Sequence, residues 1–257
     1  LEAVTMREFL WQLDRHGPRL QCGGLRGAID LGRPDRGLGG LATELGPLDD
    51  AQLLGLEVPS CEADRAASPG EAYVRGGDLV ATYGQAERWP VAVDVVWRAL
   101  APSGPDAPAG AVELLVSVRT ERLESRPALS ACSVVPAREV LRLSGGATPR
   151  LEPAADGRET FPRADGRLPC LVFRLAQAGL SYVEMVHPAD AVEDGLQGAS
   201  AGGGRVRVAH RLFAGPLEKG VIRRARIRGV FVPRDRDERI AAECFAAFAR
   251  SEPPLEA

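Results

Sequence analysis

Three histidines, His16, His187 and His210, are the side chains of this 257-residue chain whose ordinary pKa suits proton transfer near neutral pH. His187 closes the alternating segment Leu180–His187, and His210 lies within Arg205–Phe213. Antiparallel pairing of these segments across a Pro188–Gly204 loop has one register that puts Val183, Met185, His187, Val206, Val208, His210 and Leu212 on one face. Tyr182, Glu184, Arg207 and Arg211 then share the other face as cross-strand charge pairs. An apolar face carrying two histidines can wall a pocket, and a slip of one residue would part them. Four residues along a sheet is about 13 Å, too far for a shared metal. General acid–base work also needs a carboxylate, and Glu184 or Asp94 is expected to supply it. Glu184 requires the opposite register from the one that unites the histidines. The expected catalytic set is therefore His187, His210, Glu184 and Asp94. The plainer reading is that these histidines are hydrogen-bonded at the edge of a core. His16 precedes Gly17, where a cation would complement the end of a helix.

A second chemistry is offered by Ile222–Arg228, which as a strand projects Arg224, Arg226 and Arg228 to one side. Guanidinium forks in a row suit carboxylated, sulfated or phosphorylated ligands, and they also suit a solvated face or a charged edge strand. Trp89, beside Pro90 and charged Glu87-Arg88, is the expected exposed stacking platform, whereas Trp97, alternating with valines, is assigned to the core. Two motifs fail on context. Gly37–Ala42 fits G-x-G-x-x-A, but Gly46-Pro47 would stop the helix that must follow. Gly198–Gly202 fits G-x-S-x-G but sits in a small-residue loop, with no carboxylate before His210 to complete a triad. The five cysteines, Cys22, Cys61, Cys132, Cys170 and Cys244, are dispersed without C-x-x-C and are expected to pack as small hydrophobes. No cofactor and no metal is expected.

The elements that would position these groups are mostly strands. Glycine (29) and proline (20) are abundant, and 45% of residues are hydrophobic, which describes a folded, turn-rich chain. Period-two alternation marks Leu25–Leu31, Tyr73–Arg75, Asp78–Tyr83, Val91–Trp97, Val112–Val118, Ser133–Leu143, Cys170–Leu175 and Gly220–Val232. Gly76-Gly77 predicts a hairpin. Helices are expected at residues 5–16, opened by the Thr5/Glu8 capping box, and at residues 235–250. The stretch Gly145–Arg167 reads as a loop or as a place for short strands. The sum is one mainly β domain over residues 1–257, an antiparallel β-sandwich flanked by two amphipathic helices.

The β-dominated middle, the chain length and the opening Gly27-Ala28-Ile29-Asp30-Leu31-Gly32-Arg33-Pro34 together resemble the galactose-mutarotase-like super-sandwich. The segment Leu217–Arg224 is also similar to part of a bacterial family with no attached function. The mutarotase resemblance implies carbohydrate handling, with a histidine and a carboxylate as acid and base on a concave sheet. The alternative is a non-catalytic sandwich for binding or assembly, docking an anionic polymer on the arginine stripe. A net charge of −3 argues against a nucleic-acid partner, and no apolar run approaches membrane-spanning length. Unpaired cysteines point to the cytoplasm, a mature exported form remaining open.

Overall fold

The computed structural model describes residues 10–58, 67–85, 89–101, 109–145, 149–154, 157–162, 170–177, 179–199, 203–213 and 215–252. Twenty strands and one α-helix are built from them. In order they are β1 Trp11–Asp14, β2 Gly17–Cys22, β3 Leu25–Ile29, β4 Leu38–Thr43, β5 Gly46–Pro47, β6 Gln52–Glu57, β7 Glu71–Arg75 and β8 Asp78–Tyr83. There follow β9 Ala92–Leu100, β10 Gly110–Arg119, β11 Glu124–Ser125, β12 Leu129–Leu143, β13 Leu151–Pro153 and β14 Gly157–Pro162. The last are β15 Cys170–Leu175, β16 Leu180–Val186, β17 Ala191–Ala199, β18 Gly204–Leu212, β19 Leu217–Glu218 and β20 Arg223–Pro233, before α1 Asp237–Arg250.

Every pairing is antiparallel. One array runs β7-β8-β9-β10-β20-β16-β15 and meets the second half of β12. The first half of β12 pairs instead with β18 on one side and β6 on the other. β18 continues to β17 and β14, and β6 touches β4, which leads through β3 and β2 to β1. The long β12 thus joins the arrays into one nearly closed sheet, its register shifting near Ala137–Glu139. The enclosed core draws on both arrays, with Leu38 and Leu56 from one, Trp97, Leu114, Tyr182 and Ile227 from the other. Helix α1 covers a separate apolar patch on the outside, where Ile240, Phe245 and Phe248 meet Val172, Met185 and Val230.

Several expectations are corrected here. β16 and β18 do not pair: residues 191–199, expected as loop, form β17, which takes the edge of β18, while β16 lies between β15 and β20. The expected N-terminal helix is absent from residues 10–16, where Trp11–Asp14 is a strand paired with β2 and His16 occupies the turn between them. Trp11 is buried in β1, and Gln12, Leu13 and Asp14 are exposed on it. Its capping box lies outside the described residues. The C-terminal helix is present, entered through a single 3-10 turn at Arg234–Arg236. The hairpin at Gly76-Gly77 is present, with Arg75 opposite Asp78. The stretch Gly145–Arg167 holds the short strands β13 and β14.

Candidate functional site

Three gatherings of chemistry-bearing side chains stand out among the described residues. The first is inside the sheet. Inward positions of β16 carry Tyr182 and Glu184, and inward positions of β12 and β18 carry Ser133 and His210. His210 Nε2 lies 2.9 Å from Glu184 Oε1, and its Nδ1 lies 2.7 Å from Asp194 Oδ1 on β17. Glu184 Oε2 accepts bonds from Tyr182 Oη at 2.7 Å and Ser133 Oγ at 2.5 Å. Burial alone would push the His210 imidazole down. Hydrogen bonds to Asp194 and Glu184, reinforced by their charges, outweigh it and raise the pKa to about 9. The ring is thus an imidazolium with a carboxylate on each nitrogen. Tyr182 is held well above its ordinary pKa, first by burial and then by the charge of Glu184, so it remains a donor. Gly229, opposite Glu184 on β20, makes room for this: a Cβ there would stand 2.4 Å from Tyr182 Oη. His210 and Glu184 are 2% and 1% exposed, so this pair is sealed from solvent, while Asp194 keeps 15% of its side chain exposed.

The second gathering lies on the outer face. Strand register puts Asp78, Arg98, Glu113 and Arg228 in one rung across β8, β9, β10 and β20, charges alternating. Arg98 grips Asp78 with two bonds, of 2.8 and 2.7 Å, and Arg228 Nε donates to Glu113 at 2.8 Å. One rung on, the His187 amide donates to the Arg226 carbonyl, and the turn His187-Pro188-Ala189-Asp190 brings Asp190 back beside the ring, 3.8 Å away. The buried Arg226 guanidinium donates to the Ser251 and Glu252 carbonyls just beyond α1. Phe248 lies over Arg228 at 4.5 Å and meets the His187 ring edge-on at 5.6 Å. Burial first, and then Arg226, lower the pKa of His187, and burial raises that of Asp190. The end of α1 therefore closes over this cluster.

The third gathering is open. A cleft of about 650 Å³ runs between the β1–β2 turn, the segment Ala28–Gly32 and the 3-10 turn Pro34–Arg36 that leads into β4. That volume is within the range of small-molecule sites, roughly 300–1,000 Å³. Its polar lining includes His16, Asp30, Arg36 and Gln52, with Leu13, 41% exposed, at the rim. Asp30 Oδ1 accepts the Gly32 N–H at 2.9 Å, which fixes its carboxylate. Arg15 Nε donates to His16 Nε2 at 3.0 Å.

The interior positions the wall of this cleft. β6 bulges opposite Ser133, where Leu54 takes φ 55° and leaves the ladder. Its N–H donates to Ser133 Oγ at 2.9 Å and its carbonyl accepts Trp97 Nε1–H at 3.0 Å, so neither group is orphaned. The 3-10 turn packs against that bulge through two glycines. A Cβ at Gly55 would stand 2.2 Å from the Asp35 carbonyl, and one at Gly37 2.2 Å from the Leu53 carbonyl. The Cys132 thiol donates to the same Asp35 carbonyl at 3.3 Å.

The residues expected from sequence are thus dispersed. His210 and Glu184 meet across the core, reached from opposite sides and not through a shared register. His187 stands on the outer face with Asp190 and Arg226. Asp94 is on the outside of β9, paired with Arg119. Trp89 is only 7% exposed and belongs to the core, which corrects its reading as a platform: the flanking charges did not keep it in water. Arg224, Arg226 and Arg228 do share a face, but Arg226 is tied to the end of α1 and Arg228 to Glu113. The nucleophile-elbow motif lies largely outside the described residues, and Gly37–Ala42 leads into β4 with no helix. His16, Asp30, Arg36 and Gln52, which line the open cleft, are not singled out as site residues by the sequence, where His16 reads as the cap of a helix and Gly27–Pro34 only as part of a fold resemblance. Among the described residues no three His, Cys, Asp or Glu side chains could hold a metal ion, and no helix is long and apolar enough to cross a membrane.

Comparison with solved structures places this architecture. A candidate aldose 1-epimerase of Escherichia coli K12 is similar with a TM-score of 0.55 at 11% identity, over 83% of this chain and 97% of that one. The Slr1438 protein of Synechocystis sp. PCC 6803 is similar at 0.58 and 8% identity, over 83% and 94% of the two chains. The GH36 α-galactosidase AgaB of Geobacillus stearothermophilus is similar at 0.52 and 9% identity, over 87% of this chain and 41% of that one. The fold is that of aldose 1-epimerase-like proteins. No protein-family model matches the sequence, and comparison with curated proteins gave no match.

Proposed function

We propose that this protein handles carbohydrate by binding it in the open cleft of the β1–β4 region, on a sandwich whose two layers are the arrays joined by β12. The observation that carries the reading is the lining of that cleft. A fixed carboxylate (Asp30), a guanidinium (Arg36), an amide (Gln52) and an imidazole (His16) surround a space with an apolar rim at Leu13. Hydroxyl groups need both acceptors and donors, and the C–H side of a sugar ring needs an apolar contact, so this set suits a polyol. The fold likeness to a candidate epimerase and to a glycosidase supports the same substrate class at the level of architecture.

Acid–base catalysis by His210 with Glu184 is the weaker part of the carbohydrate reading, because every polar atom of that pair is already engaged out of reach of a substrate. Docking of an anionic polymer on Arg224, Arg226 and Arg228 is weaker still, since Arg226 and Arg228 are bonded within the fold. The test is calorimetric titration with a panel of hexoses and uronic acids. Binding to at least one sugar, weakened tenfold or more in Asp30→Ala and unchanged in the surface control Leu123→Ser, supports the reading. Tenfold corresponds to about 1.4 kcal/mol. Equal binding by wild type and Asp30→Ala, or no binding at millimolar sugar, refutes it.

A further inference from the structure

We infer that the sugar held in the cleft carries a carboxylate, and that Arg36 reads it; this rests on the cleft reading above. Charge is unevenly paired along the 3-10 turn. Arg33 and Asp35 clamp one another through two hydrogen bonds, both 3.1 Å, so Asp35 is committed to Arg33. Arg36, the next residue, is exposed and lines the cleft, and its guanidinium makes no hydrogen bond or ion pair among the described residues. Asp30, which lines the same cleft, spends one oxygen on the Gly32 amide and forms no ion pair with Arg36. The cleft therefore holds an unneutralised cation on a turn that the bulge of β6 keeps in place. A guanidinium without a partner prefers a planar anion that can take two parallel N–H bonds, which a carboxylate does and a hydroxyl does not.

The floor of the cleft points the same way. Gly39, in the interior of β4, has an ordinary φ and nothing within 4 Å of where a Cβ would stand. It stands beside the bulge of β4 against β3, where Gly40 takes φ 57°, and the space that its own Cβ would enter is open. Glycine inside a strand lowers stability, and one recurrent reason to find it is close approach of a ligand to the backbone. With Gly40 beside it, Gly39 leaves bare backbone near Arg36, on which a sugar ring can settle while its carboxylate meets the guanidinium and its hydroxyls meet Asp30 and Gln52. The ligand class is a uronic acid or an oligosaccharide ending in one.

The experiment is calorimetric titration of the full chain with glucuronate, galacturonate, glucose and galactose at low and at physiological salt. The expected result is that a uronate binds at least tenfold tighter than its parent hexose, that salt weakens the uronate only, and that Arg36→Ala or Arg36→Glu removes the preference. Circular dichroism of both variants checks that they fold. Hexoses binding as tightly as uronates would overturn the acidic-sugar inference and leave the cleft reading standing. A uronate preference that survives both Arg36 variants would overturn it as well. Binding of neither sugar type would remove the cleft reading and this inference together.

Discussion

His210 and Glu184 lie 2.9 Å apart although their strands, β18 and β16, never pair. They meet across the interior, each projecting from a different array, and so the ion pair fastens the two halves of the molecule through the middle of the core. Asp194, Tyr182 and Ser133 satisfy the remaining polar atoms. A buried charge network of this kind is costly to break at one member, because the survivors stay charged and buried.

The pH dependence of stability follows from the sign of the shift. His210 titrates at about 9 in the fold and near its ordinary 6.5 when unfolded, so the fold binds the proton more tightly. Its contribution is complete below about pH 6.5 and is lost as pH rises from there through about 9. Urea midpoints measured between pH 6 and 9.5 are expected to fall over that window, and to fall less in His210→Gln. Removal of the ring in His210→Ala is expected to lower stability by about 3–5 kcal/mol at pH 7.

Ser133→Ala tests the bulge. It removes a donor from Glu184 and leaves the Leu54 N–H unsatisfied in the core, which is expected to lower stability by about 1–3 kcal/mol. Gly55→Ala acts on the other side of the bulge, where the new Cβ meets the Asp35 carbonyl. Displacement of the 3-10 turn should then weaken sugar binding more than stability accounts for. A Gly55→Ala variant with normal sugar affinity would show that the turn does not depend on this contact.

Phe248→Ala tests the cover over His187. The lowered pKa of His187 comes first from burial and then from Arg226, and removing the phenyl ring admits water to the imidazole. The histidine is expected to titrate higher in the variant than in the wild type, read from its ring proton shifts in NMR. An unchanged titration would mean that the ring owes its environment to the sheet alone.

Cysteine chemistry gives a further check. Burial, and next the charge of Glu57, push the Cys132 thiol up to about 12, and burial pushes Cys170 higher still. Both are expected to resist iodoacetamide at pH 8 in the folded protein and to react after denaturation. Cys244, half-buried on α1, is expected to react faster than either.

The sheet was legible because its strands alternate cleanly. The eight residues Ala92–Ala99 keep one face apolar and the other mixed, and a hairpin signal such as Gly76-Gly77 fixes its own register. Pairing between distant segments was not legible. Val192-Glu193-Asp194-Gly195 has no alternation that would mark β17, yet it separates β16 from β18 and moves every inference about the two histidines. The N-terminal segment carried spacing that fits a helix, but Trp11–Asp14 gains more from pairing with β2 than a short helix could. His210 and Glu184 were both selected from sequence, and their meeting depends on which strands face one another across the core. The cleft is assembled from a turn, a strand end and a 3-10 turn, none of which has a periodic signature.

The most direct test of carbohydrate binding in the cleft is residue-resolved mapping. Backbone amide shifts of the isotope-labelled protein, followed by NMR during titration with galactose and galacturonate, should move at Asp30, Gly32, Arg36, Gly39 and Gly40 while His187, Arg226 and Phe248 stay in place. Shifts concentrated around His187 and the end of α1, or no shift with any sugar of the panel, would contradict it.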